Sequence, residues 1–272
     1  FHVPLIEPEE KPDVDLPIDP YVLGILIGDG GLTTGSVKVS TPDAFVIDEL
    51  RRLIPENIDV RHIDKFDYVL VDKNVVPGKK SSLITTLRDL DLMGCYSHQK
   101  FIPAQYMNAS PRQKWDLLQG LMDSDGTVGK NRSVSFTTTS VALAHQFEHL
   151  VRSLGGVCRT YRRVTKYTHN GEQREGRLSY TMQIRFRDTT KALRLPRKRD
   201  RLFTGAPVKD TSKLRIVSIE YAGREEAQCI EIDHPDHLYI TDDYIVTHNT
   251  ICAVCLVAWI MYIAGQQFQI CL

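Results

Sequence analysis

Two runs of small and aliphatic residues, each closing on Asp-Gly, constrain the fold of this chain more than any other feature. The first ends the stretch YVLGILIGDG (21–30) and the second the stretch WDLLQGLMDSDG (115–126). After the first, 36–40 reads as a strand and 42–53 as an amphipathic helix; after the second, 133–138 and 141–154 repeat that order. The two Asp-Gly ends lie 96 residues apart. That period is too long for a solenoid repeat and suits a duplicated half-domain.

Within each run the small residues fall four apart, Gly24 with Gly28 and Gly120 with Ser124. This spacing lets two helices approach along one face with their backbones almost touching. Each helix then ends on an aspartate, Asp29 or Asp125, which faces the negative end of the helix dipole, and two such acids brought together also repel. A cation must compensate. A carboxylate pair completed by water and phosphate oxygens is a typical Mg²⁺ environment, competent for phosphodiester hydrolysis.

The segments VLGILIGDG (22–30) and LQGLMDSDG (118–126) resemble the paired motifs of single-chain LAGLIDADG (DOD-type) homing endonucleases; the second is the closer match, since Ile27 and Gly28 stand in the first where Asp123 and Ser124 stand in the second. The resemblance implies an α+β fold, a duplicated αββαββ unit with a pseudo-two-fold axis between the motif helices and saddle-shaped sheets on double-stranded DNA. It further implies that Asp29 and Asp125 are a catalytic pair binding Mg²⁺ or Mn²⁺. The sequence KFIP (100–103) is similar to a block of that family ahead of the second motif, which makes Lys100 the candidate for stabilising charge or poising the attacking water. A counterpart in the second half is sought in Arg197, Lys198 or Arg199.

Charge supports a nucleic-acid partner locally, although the 272 residues carry no net formal charge. Between 152 and 201 there are fifteen basic residues against four acidic ones, an excess of +11. Arg185 and Arg187 alternate around Phe186 as on one face of a strand, so a basic sheet surface tracking phosphates is expected, with Arg162, Arg163, Lys166, Arg185, Arg187, Arg197, Lys198 and Arg199 as its DNA-binding residues.

The texture changes beyond Pro207. Short alternating strands at 214–221, 228–232, 237–241 and 244–247 describe an all-β segment too small to fold without partner strands. The stretch 229–250, CIEIDHPDHLYITDDYIVTHNT, resembles the C-terminal splicing blocks of inteins, the Hint fold. The residue types suit that chemistry. Asn249 attacks its own carbonyl with its side-chain amide and releases the chain that follows, His248 protonates the departing amine, and the Thr250 hydroxyl takes up the upstream segment as an ester. His237 falls where the family places an assisting histidine. Cys229 stands where many inteins carry aspartate and Thr247 precedes the His-Asn pair, a combination similar to class 3 inteins, in which the internal cysteine forms the first thioester. Cys229 should then be partly exposed with a lowered pKa.

These readings divide the chain into an extended Pro-rich, acidic linker at 1–18, an endonuclease at 19–208, a C-terminal splicing segment at 209–249, and the start of a host protein at 250–272. An apolar helix opened by Thr250 and a strand at 268–272 resemble the end of a P-loop and its sequel in an ATPase. A phage terminase large subunit is the first expectation for that host and a replicative helicase the second. The opening part of the splicing domain, in cis or in trans, is expected outside this chain. The rival readings are a splicing element with an inactive endonuclease insert and a fragment of an ATP-driven motor. Six scattered cysteines lack a disulfide-framework spacing and no leader pattern is read, so a cytoplasmic location is expected, with no membrane partner and a monomeric endonuclease.

Overall fold

The computed structural model describes residues 2–75, 81–169, 171–203, 213–221, 223, 226, 230, 232–233, 235–248 and 269–271. The chain divides into two compact units, one of residues 8–207 and one of residues 1–7 with 208–272.

The larger unit is an α+β fold built twice. Its first half runs α1 (Pro20–Gly28), β2 (Gly30–Thr34), β3 (Ser36–Ser40), α2 (Ala44–Leu53), β4 (Ile58–Asp64), β5 (Asp67–Asp72) and α3 (Ser82–Asp89); strand β1 (His2–Pro4) belongs to the other unit. After α4 (Ala104–Met107) the second half runs α5 (Pro111–Ser124), β6 (Gly126–Val128), β7 (Val134–Thr138), α6 (Val141–Ser153), β8 (Val157–His169), β9 (Glu172–Arg185), a 3₁₀ turn (Thr189–Ala192) and α7 (Pro196–Phe203). The two sheets have the same antiparallel plan, β2-β3-β5-β4 and β6-β7-β9-β8. The duplication expected from the spacing of the Asp-Gly ends is therefore present element by element.

Local chemistry accounts for the helix starts. Asp19 accepts from the backbone N–H of Tyr21 and Val22 ahead of Pro20, and Ser110 with Gln113 forms a reciprocal capping box ahead of Pro111. Helix α1 is buried from Pro20 through Ile27, so it forms the centre of the unit rather than a surface element. One continuous core joins both halves, from Tyr21, Leu23 and Leu26 through Leu117, Leu121 and Phe136 to Phe147 and Met182.

The helices meet where the small residues stand. A Cβ on Gly24 would lie 2.5 Å from the Leu117 carbonyl oxygen and 2.8 Å from the Gly120 Cα, and a Cβ on Gly120 would lie 2.9 Å from the Gly24 Cα. The contact is reciprocal, each glycine meeting the other, as it must be at a two-fold axis. Sequence spacing alone led to this close approach.

The stretch expected as a free linker behaves differently within the larger unit. Asp13 is held by Ser110 and by Arg112 (2.6 Å to Nη2), and Gln113 bonds both backbone groups of Val14. An acidic residue at the start of α5 meets the positive end of that helix, and the Gln113 amide satisfies the polar backbone that an irregular segment would otherwise leave to water.

Among the described residues the smaller unit shows three two-stranded antiparallel ribbons: β1 with β10 (Lys213–Arg215), β11 (Ser218–Glu220) with β14 (Gln269–Cys271), and β12 (Leu238–Ile240) with β13 (Val246–His248). The strand expected at 268–272 is present as β14. The expected strand at 228–232 and the apolar helix after Thr250 fall largely or wholly outside the described residues. Among the described residues no helix is long and apolar enough to cross a membrane.

Candidate active site

Asp29 and Asp125 are the C-caps of α1 and α5, each donating its backbone N–H to the carbonyl four residues earlier. The close approach of the two helices brings these acids together at the ends of the motif pair. Burial raises the Asp29 carboxyl to about 6, and the neighbouring Asp125 pushes in the same direction; burial likewise raises Asp125. A hydrogen bond joins the two carboxyls to each other. Among the described residues neither acid has an ion-pair partner.

The compensating cations demanded by two helix C-termini are supplied in part by the chain itself. Lys100, 4% exposed, places Nζ 3.2, 3.0 and 2.7 Å from the carbonyl oxygens of Leu26, Gly28 and Gly30. Lys198, 5% exposed, places Nζ 2.8, 2.7 and 3.0 Å from those of Met122, Asp123 and Ser124. Each ammonium thus caps the last turn of one motif helix. Burial lowers both lysines to about 8, and the nearby aspartates oppose the shift.

An ammonium has three donors, and here all three of each lysine go to backbone carbonyls. The lysines therefore lend positive field to Asp29 and Asp125 without occupying their oxygens. Two adjacent, half-desolvated carboxylates with free lone pairs are the donor set of a hard divalent cation, so Mg²⁺ or Mn²⁺ fits the residues present.

Lys198 corrects one expectation. Its place among the phosphate-facing residues is not a surface place, because the carbonyls at the end of α5 claim its ammonium. A signal was available, since Lys100 follows Asp29 by 71 residues and Lys198 follows Asp125 by 73. The remaining candidates are exposed. Arg197 makes two 2.5 Å bonds to the Asp43 carboxylate, Arg199 lies on α7, and Arg162 lies 5.9 Å from the centre of the Tyr180 ring. Arg163 and Lys166 lie on β8; Arg185 ends β9, Phe186 is buried beside Trp115 with ring centres 4.6 Å apart, and Arg187 returns to the surface. The alternation read in the sequence is real, although Arg187 lies just past the strand.

Three residues around the site, Tyr21, Asp123 and Arg194, are assigned no role by the sequence. Asp123, 3% exposed, accepts from the Tyr21 hydroxyl (2.9 Å) and from the backbone N–H of Arg194 (3.2 Å) and Leu195 (3.0 Å); burial raises it to about 6. Arg194 bonds Glu49 from the first half (3.0 Å) and Asp116 and Gln119 from the second, and lies 4.2 Å from the centre of the Tyr21 ring. Together they tie α1, α2 and α5 to the segment that delivers Lys198.

Of the splicing candidates, three fall on described residues. Thr247 pairs with Tyr239 and His248 with Leu238, and His237, at φ +49°, directly precedes β12 with its Nδ1 3.2 Å from the Ile232 carbonyl oxygen. One short ribbon therefore gathers His237, Thr247 and the backbone of His248. Cys229, Asn249 and Thr250 lie outside the described residues.

The chain is 26% identical over 245 residues to a replicative DNA helicase DnaB of Mycobacterium intracellulare, an alignment covering 89% of this chain. The chain spans 36% of that protein's length. Among solved structures it is similar to mesophilic variants of the homing endonuclease I-DmoI (TM-score 0.39, 16% identity, 65% of this chain and 92% of that one). It is also similar to I-DmoI in complex with DNA and Mn (TM-score 0.36, 16% identity, 70% and 98%). Residues 113–191, from the motif helix of the second half through its sheet, match the family model described as a LAGLIDADG-like domain.

Proposed function

We propose that residues 8–207 form a site-specific DNA endonuclease that cuts double-stranded DNA by metal-dependent phosphodiester hydrolysis. The observation that carries this reading is the Asp29–Asp125 pair, partly open to solvent at the ends of two touching helices, with the buried Lys100 and Lys198 holding the carbonyls around it. Asp29 and Asp125 would hold Mg²⁺ or Mn²⁺, and the bound ion would supply Lewis acidity to a phosphate oxygen and lower the pKa of water. The two lysines hold the acids in place and offset their mutual repulsion. Arg162, Arg163, Lys166, Arg185, Arg187, Arg197 and Arg199 meet the phosphate backbone, where basic residues fix position rather than sequence.

The smaller unit we read as the C-terminal part of an intein splicing domain. Cys229 would be the initiating nucleophile, Asn249 the cyclising residue, His248 and His237 its proton-handling partners, and Thr250 the first host residue. The helicase relative supports this division, because only 23 residues run from Thr250 onward and most of the 245 aligned residues therefore lie ahead of it. It favours a replicative helicase over a terminase as the host. The host cell's cytoplasm is the setting, and the endonuclease acts as a monomer because its symmetry axis lies inside one chain.

The test is cutting of the intein-free allele of the host gene. Asp29→Ala or Asp125→Ala abolishes Mg²⁺-dependent cutting while splicing continues. Undiminished cutting by either variant removes the metal assignment, and failure of the unaltered chain to cut favours a decayed insert.

A further inference from the structure

The two sheets share a plan but not a length. In the first, β5 begins at Asp67, opposite Ser40 at the end of β3, so the β4–β5 hairpin closes where its neighbour stops. In the second, β7 covers β9 only from Tyr180 to Ile184, and β8 continues beside β9 as far as the pairs Lys166 with Glu175 and His169 with Glu172. Residues 163–169 and 172–179 thus form a two-stranded ribbon beyond the sheet. At about 3.3 Å per residue its eight β9 residues extend about 26 Å.

The charge is as unequal as the length. On the first sheet the strands carry Asp59, Asp64, Asp67 and Asp72 against Lys38 and Arg61, and Arg61 is bonded to Asp59 at 3.0 Å. On the second, Arg159, Arg163 and Arg185 are exposed, and the ribbon adds exposed Lys166, Arg174 and Arg177. Arg174 is bonded to Glu172 at 3.4 Å. Among the described residues Arg159, Arg163, Lys166, Arg177 and Arg185 are in no ion pair. Exposed bases outside any ion pair, on a two-stranded ribbon of the kind the major groove admits, are the footprint of a duplex phosphate contact.

We infer that the β8–β9 ribbon is a one-sided DNA arm: it grips phosphates outside the core site on the flank of the second half, so the protein covers its target unequally about the cut. This rests on the endonuclease reading and adds to it the direction and extent of the DNA engaged. A ribbon of about 26 Å laid along B-DNA reaches at most about eight further base pairs.

The experiment uses the full chain on a duplex of the intein-free host allele with long flanks, in Ca²⁺ for footprinting and binding and in Mg²⁺ for cutting. Hydroxyl-radical protection should extend further on one side of the cut, by about five to eight base pairs. Arg163→Ala/Lys166→Ala/Arg177→Ala should lose that extension. Taking three bases away from phosphates lowers the salt slope by about 2.7, so the affinity gap between wild type and variant should shrink by about 40-fold between 50 and 200 mM salt. Arg163→Lys/Arg177→Lys, which keeps the charge, should retain both. Equal protection on the two flanks of the wild type overturns the arm while leaving the endonuclease standing. So does an unchanged salt slope in the triple variant. Absence of binding by the wild type overturns both.

Discussion

Replacing Asp29 by asparagine should make the protein more stable as it disables it. Burial and Asp125 raise the Asp29 carboxyl from 3.8 to about 6, which corresponds to about 3 kcal/mol against its ionised form in the folded chain. The site reaches the surface, so screening reduces this to about 1–2 kcal/mol. Asparagine keeps the shape and the helix C-cap without the charge. Because the folded value lies above the unfolded one, the stability linked to Asp29 is present at low pH and is lost as pH rises through about 6. Wild type and Asp29→Asn should therefore melt together near pH 3, below the unfolded value of 3.8. At pH 7.5 without divalent ions the variant should melt higher by about 2–8 °C for a unit of this size. Added Mg²⁺ should raise the wild type and leave the variant in place. Differential scanning calorimetry at the two pH values, with and without Mg²⁺, decides it. A variant less stable than wild type at pH 7.5 would refute the argument that the acid pair is held at a cost.

Gly120→Ala should destabilise the larger unit by about 3 kcal/mol or more, read by urea unfolding, because its methyl would meet the backbone of α1 and neither helix can withdraw from the core. Arg194→Ala leaves Glu49 and Asp116 without their shared partner and should cost about 3 kcal/mol with a loss of cutting; an isosteric rescue by lysine is not expected, because lysine has no planar fork to reach Glu49, Asp116 and Gln119 together. Tyr21→Phe removes the hydroxyl bonded to Asp123 and should cost about 1–2 kcal/mol in the same assay. Asn249→Ala should stop release at the Asn249–Thr250 bond, followed by mass spectrometry, and persistence of that cleavage removes the splicing proposal.

What the sequence made legible is what short-range pattern encodes. The four-residue spacing of Gly24, Gly28, Gly120 and Ser124 gave the helix contact, and the two Asp-Gly ends led to the duplicated plan and to the acids that meet there. What it hid is made of contacts between distant residues. Lys198 reads as one of three candidates, with Arg197 and Arg199, for a counterpart of Lys100, and only the fold shows that its ammonium is the one that caps the end of α5. Asp123 stands in the second motif with no role that the sequence assigns, and backbone donors from Arg194 and Leu195 fix it inside. Asp13 reads as linker because the residues that hold it, Ser110 and Arg112, are about a hundred positions away. The length of β8 and β9 was obscured by arginine and lysine, which interrupt the apolar alternation that marks a strand.

The reciprocal contact of Gly24 and Gly120 has a consequence for how such a chain can change. In a dimer of identical halves any substitution at the axis is felt twice, and every residue there must tolerate itself as a neighbour. Here the same axis lies within one polypeptide, so a change on one side is felt once and can be answered by a different change opposite. Ser124 facing Gly28 shows this freedom, since two serines or two larger residues could not share that space. The halves can drift apart in sequence and in reach while the seam between them stays closed.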